Sequence, residues 1–267
     1  MLHGCTQNPA AFAAATLMND AADRYGFVVV YPGQDPHANR QGCWNWFLPA
    51  HQRRGAGEPA AIAGIARGLI EANSRCTIDQ GRVFAAGLSA GGAMAAILAA
   101  CYPDLFAAVA VHSGLAYGSA TDAASAFEAM ARGVRDPDAR GRAAHAAMGD
   151  RARPVPSIVI HGTADRTVAP VNAIQVLRQA MTANHLAAPQ TCEHDPARPT
   201  TSRRVQAHGR YPYVQSRWTD ERGTLMHELL EIDTLAHAWS GGAPGGSFSD
   251  PRGPSATEAI CTFFGLT

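Results

Sequence analysis

Short apolar runs, each closed by turn residues, alternate along this chain with longer segments whose apolar positions recur at helical spacing. "GFVVVYPG" (26–33) is a β-branched run ended by Pro-Gly and predicts a buried strand. In "GEPAAIAGIARGLIEAN" (57–73), Pro59 stands near the start and apolar residues fall at 62, 65, 66, 69 and 70, which predicts a helix with one face on a sheet. "RVFAAG" (82–87) reads as a strand, "AGGAMAAILAACY" (90–102) as a helix and "FAAVAVHSG" (106–114) as a strand. "VPSIVIHG" (155–162) and "PVNAIQVLRQAMTAN" (170–184) repeat the unit. Such alternation predicts an α/β fold, a mainly parallel sheet flanked by helices and built from right-handed β-α-β units. "YVQSRWTD" and "TLMHELLEI" predict a closing pair of strands, and "SATEAICTFFG" a terminal helix. Residues 115–153 carry a weak helical pattern without a strong strand and are read as an excursion over the sheet's edge that can act as a lid. The polar stretch 186–204 is read as a loop.

Composition adds limits. The chain has 267 residues, 46% of them hydrophobic, enough for one sizeable core, so a single domain over 1–267 is expected. Acidic and basic residues balance at 22 each, with no basic run interleaved with aromatics, so nucleic acid and anionic membrane are not expected partners. All 22 basic residues are arginine, which removes a phosphate-loop lysine, a Schiff-base lysine and any Ser/Lys dyad. No apolar stretch reaches the roughly 18 residues that span a bilayer. Met1 runs straight into "LHGCTQN", which reads as the end of a core strand, so further strands and a signal peptide are expected upstream of it. Six cysteines (5, 43, 76, 101, 192 and 261) leave many pairings open, and their even number favours an oxidising, secreted or periplasmic setting.

Gly87-Leu88-Ser89-Ala90-Gly91 matches G-x-S-x-G and falls between a predicted strand and a predicted helix, where that motif has a mechanism. A serine at such an elbow occupies a strained backbone conformation, and side chains at 87 or 91 would collide with the neighbouring strand and helix. The competing reading is a small residue in a tight turn. A base and an acid decide between the two. "LAHAWSGG" places His237 after the last predicted strand and before the terminal helix, and "IVIHGTADRTVAP" places Asp165 directly after a buried strand. Asp233 competes as the acid but lies in a strand-like run too close to His237. Ser89, Asp165 and His237 follow the chain order serine, acid, histidine with wide spacing.

Acyl transfer also needs donors for the oxyanion. The Ala90 amide, at a helix start, is one; the loop "MLHGCTQN" offers the Cys5 amide as the second, with His3 a supporting residue. A Cys5–Cys43 disulfide is expected to fix that donor. Of Trp44 and Trp46 in "CWNWF", one is expected to pack in the core and the other to line the cleft, and Trp239 is a third candidate for substrate contact. "CEH" (192–194) and the scattered histidines show no HExxH or paired CxxC spacing, so no metal is expected, and serine acyl transfer requires no organic cofactor.

Together "LHGCTQN", "CWNWF", "GEPAAIAGI", "GLSAGGAMA", "HGTADRTV" and "HAWSGG" resemble the polyhydroxybutyrate depolymerase family of esterases, which is similar to feruloyl and acetylxylan esterases. The resemblance implies an α/β-hydrolase fold, a serine esterase, a triad at Ser89, Asp165 and His237, and oxyanion amides at Cys5 and Ala90. It also implies that an aromatic such as Trp46 contacts the acyl or polymer chain. The family has strands ahead of the "LHGC" stretch, which are expected to lie upstream of Met1, and its multidomain extracellular depolymerases carry a linker and a separate substrate-binding domain after the catalytic one, whereas this sequence ends at "CTFFGLT". The expected substrate is a polyhydroxyalkanoate ester, poly(3-hydroxybutyrate) or its oligomers. The alternatives are a feruloyl- or acetylxylan-type or general short-chain carboxylesterase and, from another class, a non-catalytic binding protein on the same fold.

Overall fold

The computed structural model describes residues 1–72, 77–189, 195–206 and 208–267. After Asn8, whose side chain accepts from the Ala11 amide, come α1 (Pro9–Thr16) and α2 (Met18–Tyr25), parted by the left-handed Leu17. Then follow α3 (Gly57–Ala72), β1 (Phe84–Leu88), α4 (Ala90–Cys101), β2 (Ala108–His112), α5 (Ala123–Arg132), α6 (Pro137–Met148), β3 (Ser157–Gly162) and α7 (Val171–Ala187). The chain closes with β4 (Thr201–Val205), β5 (Tyr213–Thr219), β6 (Leu225–Ile232), the short β7 (Trp239–Ser240) and β8 (Ser249–Asp250), and α8 (Ala256–Phe263).

The main sheet has the order β1-β2-β3-β6-β5-β4. β1, β2, β3 and β6 run parallel, and β5 and β4 turn back antiparallel on β6. This is the expected mainly parallel sheet with a closing antiparallel pair. Its first three strands are apolar over nearly their whole length because helices cover both faces. Met94, Leu98, Val111, Val159, Leu177 and Leu229 belong to the core under α3, α4, α6 and α7; Phe12, Leu88, Ile158, Ile160, Leu230 and Ile260 belong to the core under α1, α2 and α8.

The strand expected at 26–33 and the loop expected at 186–204 are corrected. Residues 27–31 form no strand; the Met1 amino group reaches the Val30 carbonyl, but only Leu2 bridges to β1, at Gly87, so the run lacks a ladder partner. An apolar groove of about 620 Å³ separates it from the β1 edge. Within 115–153, α6 forms part of the β2–β3 crossover and packs over the sheet's flank against α4 and α7: a Cβ on Gly141 would lie 2.3 Å from the Thr182 Cβ, and Ala144 is fully buried. The stretch 186–204 holds the end of α7 and the start of β4, an exposed edge strand whose "TSRRV" has no apolar alternation to reveal it.

The glycine pair of the elbow acts sterically. A Cβ on Gly87 would stand 2.3 Å from the Gly91 carbonyl, and one on Gly91 would stand 2.0 Å from the Leu2 carbonyl oxygen. Neither neighbour is a side chain able to move aside. Gly91→Ala is expected to destabilise the fold by about 4 kcal/mol or more, whereas Gly68→Ala, with open space on α3, gains about 0.5–1 kcal/mol. Urea unfolding of the two variants checks the contrast.

His112 and His227 are buried, and burial is the main force pushing each imidazole down to about 3. Both stay neutral in the folded chain, while the unfolded chain protonates them below its ordinary histidine value of about 6.5. The unfolded state therefore binds more protons between about pH 3 and 6.5, and stability, complete above that window, falls as pH descends through it. At pH 4.5 the loss is about 2–3 kcal/mol for each histidine. A thermal midpoint well below its pH 7.5 value is the expected observation; an unchanged midpoint contradicts it.

Candidate active site

Parallel strands deliver their following loops to one edge of the sheet. Ser89 follows β1, Asp165 lies three residues past β3, and His237 lies five past β6. Ser89 takes the N-cap position of α4 at φ 59°, ψ −119°, a conformation rare for a non-glycine residue. Its amide donates to the His112 carbonyl at 2.9 Å. The Asn8, Asp122, Asp136 and Ser255 side chains all cap their helices, but the Ser89 hydroxyl makes no capping bond. A hydroxyl in a strained turn and unused for capping is available for chemistry.

His237 and Asp165 meet directly. The imidazole Nδ1 donates to the Asp165 Oδ2 at 2.7 Å, which leaves Nε2 as the proton acceptor. Asp165 Oδ1 accepts the Thr167 and Val168 amides, each at 2.9 Å. The His161 Nε2, which donates to the Val168 carbonyl at 2.9 Å, stands 3.5 Å from Oδ2. Burial works to raise the Asp165 carboxyl, but the hydrogen bond and charge of His237, the Val168 amide and His161 outweigh it and hold the group below the usual carboxylate range. The two loops are also joined: Thr163 and Ala164 amides donate to the Ile232 and Leu235 carbonyls, and only a glycine at 162 admits the Leu235 carbonyl, 2.1 Å from where a Cβ would lie. The competing Asp233 pairs with Arg204 on β4.

Loop 2–7 lies against the elbow. The Leu2 amide donates to the Ala86 carbonyl, the Leu88 amide to the Leu2 carbonyl, and a Cβ on Gly4 would lie 3.5 Å from the Ser89 Cβ. Among the described residues the Cys5 amide has no acceptor, and the Ala90 amide, in the first turn of α4, has no intrahelical one. The expected disulfide between Cys5 and Cys43 is present. Beneath it the buried Glu58 accepts the Asn45 amide at 2.7 Å and the Asn45 and Gln34 side chains, while the Trp44 indole donates to the His3 carbonyl at 3.0 Å. Cys101 and Cys261 are free and buried; Cys76, and Cys192 with the rest of "CEH", lie outside the described residues. Among the described residues no group of three or more His, Cys, Asp or Glu side chains is arranged to hold a metal, and no helix is long and apolar enough to cross a membrane.

Residues 1–196 match the family described as esterase PHB depolymerase. The chain belongs to that family. It is 41% identical over 180 residues to poly(3-hydroxyalkanoate) depolymerase C of Paucimonas lemoignei, a match covering 67% of this chain and 42% of the relative. It is 33% identical to feruloyl esterase B of Neurospora crassa, over 67% of this chain and 62% of that one. With a probable acetylxylan esterase A of Neosartorya fischeri it shares 31%, over 67% of this chain and 49% of the relative. The chain thus spans less than two thirds of each of these relatives. Among solved structures, the acetyl xylan esterase from Aspergillus awamori superposes with a TM-score of 0.75 over 100% of this chain and 87% of that one; at 22% identity the likeness shows the fold. That fold is the α/β-hydrolase fold expected from the sequence.

In this member of the PHB depolymerase esterase family the tryptophans are core residues. Trp44 and Trp46 are 3% and 5% exposed, both packed in the core cluster with Ile62 and Met94. Trp239 is fully buried between Phe12 and His112 and donates its indole proton to Thr257. None offers an exposed ring to a substrate. Beside His237 stands a different aromatic, Phe248, 44% exposed, whose ring is edge to face with the imidazole at 6.2 Å. No motif surrounds it in the sequence. His112 was equally silent there: at the end of β2, its carbonyl holds the Ser89 amide and its Nε2 accepts the Ser240 amide at 3.1 Å, so one residue joins the elbow to the His237 loop.

Proposed function

We propose that this chain is a carboxylic ester hydrolase acting through Ser89, His237 and Asp165. The observation that carries the reading is the short Asp165–His237 hydrogen bond at the same sheet edge as a strained serine with an uncommitted hydroxyl. His237 Nε2 takes the Ser89 proton as the hydroxyl attacks the ester carbonyl, and Asp165 fixes the tautomer and supports the imidazolium. The Cys5 and Ala90 amides receive the oxyanion. His237 then returns the proton to the leaving alkoxide, and water repeats the sequence on the acyl-enzyme.

The proposed substrate is a polyhydroxyalkanoate ester, poly(3-hydroxybutyrate) or its oligomers. Its support is the 41% identity to a relative named poly(3-hydroxyalkanoate) depolymerase. A feruloyl- or acetylxylan-type ester is the second reading, favoured by the relatives carrying those names. Hydrolysis of amorphous poly(3-hydroxybutyrate), methyl ferulate, acetylated xylan and p-nitrophenyl butyrate, with Ser89→Ala as blank, separates them. Soluble hydroxybutyrate products support the first reading, and turnover confined to the plant-derived esters replaces it with the second.

A disulfide on the oxyanion loop suits an oxidising compartment, and the proposed location is secreted or periplasmic. Mild reduction of the Cys5–Cys43 bond frees the loop, and kcat is expected to fall by about tenfold to a hundredfold with the far-ultraviolet circular dichroism spectrum retained. Undiminished turnover by the reduced enzyme removes the disulfide from the catalytic account.

A further inference from the structure

Positive φ at non-glycine residues is concentrated around the candidate site. Among the described residues it occurs at Thr6, Leu17, Ser89, Ser113, Thr234 and Phe248. Leu17 joins two helices; Thr6 lies on the Cys5 loop, Ser113 follows β2, Thr234 begins the His237 loop, and Phe248 sits against His237. Strain of this kind persists only where the surroundings enforce it. At Phe248 they do. Its carbonyl accepts the Trp239 amide at 2.7 Å, and the preceding Ser247 carbonyl accepts the Gln7 side chain at 2.8 Å. The same Gln7, itself buried, accepts the Gly4 amide at 2.9 Å through Oε1. A Cβ on Gly242 would lie 2.2 Å from the Ala15 carbonyl, so the loop is also seated on α1. The Phe248 backbone is thus held between the oxyanion loop on one side and the His237 loop on the other, while the residue stays 44% exposed.

We propose that Phe248 is a specificity-determining residue whose ring contacts the apolar alcohol portion of the ester beside His237. The inference rests on the proposed serine esterase reading. In that reaction His237 hands its proton to the leaving alkoxide, so the alcohol portion must pass the imidazole, and the exposed ring packed against that imidazole is Phe248. An aromatic face there rewards an apolar alcohol and gives nothing to a methyl ester.

The test uses the whole chain and a series with one acyl group: methyl, hexyl and benzyl acetate, for wild type, Phe248→Gly and Phe248→Leu. Glycine suits the left-handed backbone, so Phe248→Gly is expected to keep the wild-type thermal midpoint while the benzyl-to-methyl ratio of kcat/KM falls about tenfold or more. Phe248→Leu, which keeps apolar bulk, is expected to give an intermediate ratio and serves where the glycine variant fails to fold. A ratio unchanged in both variants overturns the proposal, as does an effect seen only when the acyl chain of p-nitrophenyl acetate, butyrate and octanoate is varied instead. A lowered midpoint with the ratio preserved makes Phe248 structural and overturns it too. A wild-type chain that hydrolyses none of these esters and leaves Ser89 unlabelled by an organophosphonate refutes the esterase reading itself, and this inference with it.

Discussion

Ser89→Ala is expected to lower kcat by about 10^6, with the unfolding free energy within about 0.5 kcal/mol of wild type. The two halves of this expectation come from one observation. Ser89 holds the N-cap position of α4, yet its hydroxyl caps nothing, so its removal costs the helix no hydrogen bond. The elbow itself is kept by Gly87 and Gly91 and by the Ser89 amide on the His112 carbonyl, none of which the substitution touches. Steady-state turnover of p-nitrophenyl butyrate, beside urea unfolding, measures both halves. A variant that keeps a tenth of the activity removes Ser89 as the nucleophile. One that loses activity and stability together marks it as a structural turn residue.

Asp165→Asn is expected to lower kcat by about 10^4 with little change in KM. The hydrogen bonds dictate the reason. Oδ1 is held by two backbone amides, so the carbonyl oxygen of an asparagine stays there and its amide nitrogen takes the place of Oδ2, facing His237 Nδ1. That nitrogen donates and cannot accept. His237 must then carry its proton on Nε2, the tautomer that cannot take one from serine. Loss of less than tenfold in kcat would mean that another carboxylate supports His237. Asp233 would be the first to test, despite its pairing with Arg204.

Much of this was legible in the residues, for physical reasons that also mark the limits. β1, β2 and β3 read as strands because helices bury both faces, so their apolar runs are unbroken. The elbow was legible because close approach of Gly87 and Gly91 is a steric requirement that only glycine meets. His237 and Asp165 were singled out by their places after strands, and the fold makes those strands neighbours and brings the two side chains into hydrogen bond. The run at 27–31 misled because β-branched residues favour extended backbone whether or not a ladder partner exists. "TSRRV" escaped because an edge strand exposed at four consecutive positions shows no alternation. The tryptophans misled for another reason: an indole serves a core and a cleft equally well, and only packing decides. Phe248 escaped because its role comes from a backbone conformation and two distant carbonyl contacts, from Gln7 and Trp239, that leave no local pattern.

The central claim is that Ser89 is a nucleophile activated by His237, and covalent trapping tests it most directly. Treatment with a p-nitrophenyl organophosphonate followed by peptide mass mapping is predicted to give one adduct per chain, on Ser89, with loss of esterase activity in step with labelling. Labelling is predicted to be absent in Ser89→Ala and strongly slowed in Asp165→Asn. Full activity after stoichiometric labelling elsewhere, or an adduct on another serine that accounts for the inactivation, would contradict it.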